Sequence, residues 1–417
     1  MLFKDVIGQE AVKDHLVRMA GQNRLSHALL MLGPEGAGAL PLALSLAQYM
    51  TCQRVREQIM PAEPKPAAAS LFDSPTSLFG EPAAVAAPVA PVGEPPTDAC
   101  GICPACQKAV QLIHPDIHFS YPVIPRKSGD RPVSTDYAVE WREFVRQYPY
   151  GNVYDWLQSI GAENKQGNIT AQECADIIRK LNLKSFESPF KILVLWMPEY
   201  LGNEGNKLLK IIEEPPANTL FILVAEQEAL ILPTILSRTQ LIKVPPLGTA
   251  EIAEGLVARG GLEKDKAQVV ASISEGNYRE ALQQLQHADD DWQSMLREWL
   301  NAILKNGPVA QVKWVETVAK LGREKQKQFL RYFNHLLETA IRLACMEGLE
   351  GQLPEAERDF ALRLNKIAGR QQQEAILELL DNAAYYIERN ANAKMLFHAL
   401  SLKLYHIIAN KSLILVD

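Results

Sequence analysis

HALLMLGPEGAGALPLALSLAQY, residues 27–49, holds three elements in a row. His27–Leu32 is a short apolar run that reads as a buried strand. The glycine turn GPEGAGAL, residues 33–40, follows directly, and an apolar helix runs on through Tyr49. Strand, glycine turn and helix open an α/β nucleotide-binding domain. A phosphate-cradling loop reads G-x-x-x-x-G-K-[ST], its lysine meeting the β/γ charge and its hydroxyl holding magnesium. Gly33, Gly36 and Gly38 are kept, but Ala39 stands at the lysine position and Leu40 at the hydroxyl position. Without cation or metal ligand, a ligand-free turn is favoured over residual nucleotide binding.

Upstream, Gln9–Met19 has helical apolar spacing. Downstream, Lys191–Met197 and Thr219–Ala225 read as further strands, with a helix over Asn203–Ile212 stopped by Pro215 and Pro216. Strands alternating with helices predict a parallel sheet. In a hydrolysing ATPase the strand that carries the catalytic acids ends in Asp-Glu. Here Ile192–Leu195 are followed by Trp196 and Met197, and the nearest acid, Glu199, lies beyond a proline. Two catalytic elements thus lack their chemistry, and no catalysis by this chain is expected.

After Pro245 and Pro246 the strand signals stop. Glu251–Ala258, Lys264–Ser274 and Tyr278–Gln286 predict a small three-helix unit, and Trp292–Ile414 a bundle of longer amphipathic helices that includes Glu374–Glu388 and Ala393–Ile408. The expected division is an α/β domain over 1–246, a helical lid over 247–288 and an all-α domain over 289–417. Two insertions interrupt the first domain. Pro or Ala fills 18 of the 37 residues of Pro61–Thr97, a density that disfavours helix and sheet and predicts a disordered or polyproline-like insert over about 53–99. Its repeated SLF pieces, Ser70–Phe72 and Ser77–Phe79, read as incidental. Residues 126–165, polar and aromatic without a clear period, read as a second insertion.

Cys100, Cys103 and Cys106 stand at C-x2-C-x2-C spacing, which points to a structural zinc module over 52–106. A tetrahedral ion needs a fourth ligand. Cys52, at the end of the first-domain helix, is the best candidate, with His114 and His118 as alternatives. Cys174 and Cys345 are isolated and read as small packing residues. Ser237-Arg238 ends a short helix before another strand, where an arginine by itself is a solvated surface residue.

The chain has 417 residues, 47% of them hydrophobic and 22% charged, which excludes a wholly disordered or fibrous protein. Its net charge of −6 (43 basic against 49 acidic residues) argues against an independent grip on nucleic acid. The start MLFKDVIGQE lacks a signal-type apolar region, and no apolar run nears the ~20 residues that cross a bilayer. A cytoplasmic location without membrane contact is expected.

NKLLKIIEEPP (206–216), TILSR (234–238), the degenerate glycine turn, HPDIHF (114–119) and the C…CxxCxxC element together resemble the bacterial replicative clamp loader of DNA polymerase III, and within it subunits of the delta-prime type. The resemblance implies an AAA+ domain with a zinc-binding insertion, a helical lid and a collar domain for oligomerisation. It implies a stator-like, non-hydrolysing member of a hetero-pentamer with delta and gamma/tau, acting on the sliding clamp and on primed DNA through the assembled complex. Arg238 would then be an arginine finger offered to the ATP of a neighbouring subunit, although Thr239 departs from the Ser-Arg-Cys pattern. Arg279 would match the lid's nucleotide-sensing arginine, as a relic or as a packing residue. Cys52, Cys100, Cys103 and Cys106 would be the zinc ligands. The rival readings are an active gamma/tau-type ATPase and a zinc-bearing adaptor outside replication. The resemblance makes the chain a component of the DNA polymerase III holoenzyme, and nothing in its sequence suggests polymerase chemistry of its own.

Overall fold

The computed structural model describes residues 1–59, 95–127, 129–162, 165–286, 292–345, 355–388 and 391–411. The SLF pieces and most of the Pro/Ala-rich segment lie outside them. The chain divides into two compact units, Met1–Ala281 and Leu282–Asp417. Among the described residues no helix is long and apolar enough to cross a membrane.

The first unit is built on a five-stranded parallel sheet: β1 Ala28–Leu32, β2 Ile117–Ser120, β3 Lys191–Trp196, β4 Thr219–Ala225 and β5 Gln240–Lys243, in the order β2-β3-β4-β1-β5. All four pairings are parallel. The central β3 and β4 are buried along their whole length, which is why both read as unbroken apolar runs. Alternate side chains serve opposite faces. Leu29, Ile192, Val194, Ile222 and Val224 pack on one side with the helix Ala39–Thr51. Leu30, Leu193, Leu195, Phe221 and Leu223 pack on the other with the helix Ala171–Asn182. All thirteen residues of Ala39–Thr51 are buried, so this helix is apolar all round rather than amphipathic.

Three segments differ from the sequence reading. Part of the expected insert is helical: Gln53–Ile59 continues the chain beyond Cys52. The expected helix at Asn203–Ile212 is a 3-10 helix, Pro198–Leu208, broken at Gly202 and running into the short helix Leu209–Glu213. Residues 126–165 hold the helices Ala138–Gln147 and Val153–Ser159. Their buried residues, Trp141, Phe144 and Val145, then Val153, Trp156 and Leu157, recur at three- and four-residue spacing. That is a helical face in fragments too short to register as a period.

Thr249–Gly260, Lys264–Ile273 and Tyr278–Gln286 follow the sheet. The second unit's described helices include Trp292–Asn301, Pro308–Val318, Arg323–Cys345, Glu355–Ile367, Arg370–Glu388 and Ala393–Ala409. At its core Trp299 stacks on Trp314 at 4.7 Å, and its ring N–H donates to Ser401 Oγ at 2.9 Å. The core indole thereby has its hydrogen-bond partner.

Candidate functional site

The glycine turn leaves the C-terminal end of β1, where ligands of open parallel sheets bind. Gly36 and Gly38 hold φ of +72° and +94°, in the left-handed region that glycine enters without steric cost. A side chain at Gly36 would meet Asn277 Oδ1 at 1.9 Å, and one at Gly38 the Tyr150 ring at 3.1 Å. Both faces of the loop are thus covered by the chain itself. The cavity that remains, lined by Gly33, Gly36, Gly38, Ala39, Tyr150 and Trp196, measures about 20 Å³. That admits about one water molecule, against the ~300–1,000 Å³ of small-ligand pockets.

Over the loop a buried arginine sits among partly buried polar side chains. Arg279, 3% exposed, donates through Nη2 to Asp155 Oδ1 at 2.7 Å, with Nε on the other carboxylate oxygen. Its Nη1 donates to Glu35 Oε1 at 2.8 Å. Glu35 also accepts from Asn152 Nδ2 at 2.9 Å and Asn277 Nδ2 at 3.2 Å. Asp155 is in the first turn of Val153–Ser159, where Asn152 caps the helix, and a helix N-terminus favours an acidic side chain. Sequence reasoning identified Arg279 but missed its partners. The one local signal was an acid, Glu35, inside a glycine loop.

At the end of β3, where an ATPase keeps its acids, Trp196 and Met197 are buried. Trp196 lies 5.1 Å from Trp141 and 5.8 Å from Phe144, in a cluster where Trp141 also stacks on Tyr121 at 4.0 Å. Glu199 Oε1 accepts the N–H groups of Glu226 and Gln227 at 2.7 and 2.9 Å, holding the chain just beyond β4. Burial pushes its carboxyl upward against those hydrogen bonds.

Arg238 follows the short helix Pro233–Leu236 and is separate from this cleft. Its side chain, 33% exposed, pairs with Glu213 of the NKLLKIIEEPP segment. Nη1 also donates to Thr234 O at 2.8 Å and Ser237 Oγ at 3.0 Å.

The four thiols converge. The sulfur atoms of Cys52, Cys100, Cys103 and Cys106 lie within 4.8 Å of one another, Cys100 and Cys106 at 3.9 Å. A tetrahedral ion with Zn–S bonds of ~2.3 Å sets sulfurs ~3.8 Å apart, so the donor set could hold such an ion. The backbone favours thiolates: Cys100 N–H donates to Cys52 Sγ, Cys103 N–H to Cys100 Sγ and Cys106 N–H to Cys103 Sγ, at 3.3 to 3.5 Å. The Cys106 thiol holds the Cys52 thiol below its ordinary range, aided by backbone N–H groups. Its own pKa is raised in return. Cys52 joins through the chain end of Ala39–Thr51, where it is the C-cap. His114 and His118 are not in the set among the described residues. His114 Nδ1 instead accepts from Asp116 N–H at 3.2 Å. Burial pulls His118, on β2, down to about 4.

A family model described as "DNA polymerase III, delta subunit" matches residues 60–248. The DNA polymerase III subunit tau of Bacillus subtilis (strain 168) is 22% identical over 403 residues, which is 91% of this chain and 56% of that protein. The DNA polymerase III subunit delta' of Pseudomonas aeruginosa is 26% identical over 240 residues, 57% of this chain and 49% of that protein. The chain thus spans roughly half the length of each of these two relatives. A solved structure from Thermotoga maritima, described as a DNA polymerase III, gamma subunit-related protein, is 14% identical, with 94% of this chain and 98% of that one covered, at a TM-score of 0.36.

Proposed function

We propose that the chain is a clamp-loader-type subunit of DNA polymerase III with an AAA+ domain, a reading supported by the family model over 60–248 and the tau and delta' relatives, and within that group a delta-prime-type end subunit that does not itself hydrolyse ATP. The filled nucleotide cleft carries this reading. Its remaining volume of about 20 Å³ is far below the ~300–1,000 Å³ of small-ligand pockets, which speaks against a bound triphosphate. Ala39, Leu40, Trp196 and Met197 offer neither the cation, the magnesium ligand nor the acids of phosphoryl transfer. In this role the chain works with delta and gamma/tau subunits in a hetero-pentamer that opens the sliding clamp and sets it on primed DNA. In this reading the segment 289–417 serves as collar and 247–288 as lid.

Its chemical contribution is Arg238, an arginine finger for the ATP of a neighbour. A guanidinium delivered in trans stabilises charge on the transferring phosphoryl group, an effect worth ~10³–10⁵ in rate. The partly exposed pair with Glu213 suits this task, since such pairs are worth about 0–1 kcal/mol. The arginine exchanges Glu213 for phosphate at little cost. Zinc at the four thiols is structural: it supplies a crosslink between Cys52 and the Cys100–Cys106 knuckle, and no reaction runs through it.

The test is reconstitution of the pentamer and measurement of clamp- and DNA-stimulated ATP turnover with the wild-type chain and with Arg238→Ala. Turnover falls by at least about 10³-fold at the site Arg238 completes, while the pentamer stays intact. Unchanged turnover removes the finger role. Turnover by the purified chain alone would turn the reading toward a gamma/tau-type ATPase.

A further inference from the structure

We infer that Glu35 and Asp155 are built-in counter-ions that latch the lid onto the glycine loop through Arg279, so that the lid's posture is set by the chain's own carboxylates and not by a nucleotide. The inference rests on the reading of this chain as a subunit that does not cycle through ATP. It assigns the mechanism by which the posture is held.

Three segments distant in sequence converge on the latch. The loop contributes Glu35, the start of the helix Val153–Ser159 contributes Asp155, and the lid contributes Asn277 and Arg279. The backbone joins in, with Tyr278 N–H donating to Gly36 O at 3.3 Å. Asn277 is used twice: its amide nitrogen donates to Glu35, and its Oδ1 accepts Glu280 N–H at 3.1 Å at the start of the last lid helix. A guanidinium buried to 3% exposure is held only where its charge is paired and its donors are engaged. Both carboxylates do this, Asp155 in the bidentate fork and Glu35 on the remaining nitrogen. An acid at position 35 also places negative charge in the loop that would otherwise receive phosphates, which disfavours a triphosphate.

Hydrogen–deuterium exchange on the full purified chain tests this. In the wild type, amides of 249–281 exchange at the same rate with and without saturating Mg-ATP. In Glu35→Gln they exchange about 10-fold faster, and in Glu35→Gln/Asp155→Asn about 100-fold faster, because a buried cation loses its partners. Amides of β4, Thr219–Ala225, serve as the internal control and keep their protection. If the double variant loses β4 protection as well, the single variant decides. Lid exchange within twofold of wild type in Glu35→Gln overturns the inference, and so does added lid protection on Mg-ATP binding to the wild type. The readout is on the isolated chain, so loss of the Arg238 effect in the pentamer leaves this result standing, and the reverse also holds.

Discussion

Replacing Trp196 by aspartate puts back one acid where an ATPase carries it, yet the structure gives a reason why the change unfolds the domain instead. Trp196 is 1% exposed, packed against Trp141 and Phe144 on the sheet face that carries the helix Ala39–Thr51. A tryptophan side chain buries about 150–250 Å², which at ~25 cal/mol per Å² is about 4–6 kcal/mol. Truncations of this kind cost ~3–5 kcal/mol where the cavity does not collapse. Here collapse is opposed by rings packed edge to face: Trp141 and Trp156 at 5.4 Å with planes 87° apart. Aspartate adds the cost of a carboxyl without a partner in an aromatic pocket, ~1–3 kcal/mol even when it stays protonated. The expected sum for Trp196→Asp is about 4–8 kcal/mol, comparable to the ~5–15 kcal/mol that hold a domain together. Trp196→Ala lies near 4 kcal/mol and Trp196→Phe near 1–2 kcal/mol. Urea unfolding, followed by exchange of the β4 amides, reports the first unit directly. A Trp196→Asp chain within about 1 kcal/mol of wild type would refute the view that this strand end has become core, more so if it also turned over ATP.

Cys52→Ser lowers the zinc content of purified protein from one equivalent toward zero, measured by atomic absorption, while His114→Ala and His118→Asn leave it at one. Asp116→Ala strands the N–H groups of Phe186, Glu187 and Ser188, which it accepts at 2.5 to 2.7 Å. It destabilises the first unit by about 2–4 kcal/mol in urea. His118, held near 4 by burial against an ordinary 6.5, takes up its proton later than the unfolded chain does. Its stabilising contribution is therefore complete above pH 6.5 and is lost as pH falls from 6.5 toward 4. His118→Asn flattens that part of the urea-midpoint profile.

The elements legible in the sequence are those whose signal is local. The run Thr219–Ala225 is seven apolar or β-branched residues with both faces covered, and it is β4 to the residue. The lid helices and Ala393–Ala409 likewise carry their period within themselves. β2 escaped because Ile117–Ser120 is only four residues long, buried at its ends and half-buried between. The helices of 126–165 escaped because each shows fewer than three turns of pattern. Of the site, the converging thiols lay in a spacing, whereas the latch lay in pairings across 124 and 244 residues. Contacts at such separation leave no periodic trace.

The same positions account for both the missing chemistry and the rigidity. A lysine at 39 or acids at 196 and 197 need water, metal or phosphate beside them, and that need keeps a cleft open. With Ala39, Leu40, Trp196 and Met197 in their place the need is gone, and these four side chains are buried. Arg279 then has no phosphate to meet, and a buried guanidinium without a counter-ion is untenable. Glu35 and Asp155 supply that counter-charge from within the chain. Closing the cleft and latching the lid are therefore one change. If Lys and Thr were restored at 39 and 40 with Glu35, Trp196 and Met197 left in place, Arg279 would stay on its carboxylates and the cleft would bind Mg-ATP no better than wild type by calorimetry. Binding that appears with Glu35 still present would break the link between the two.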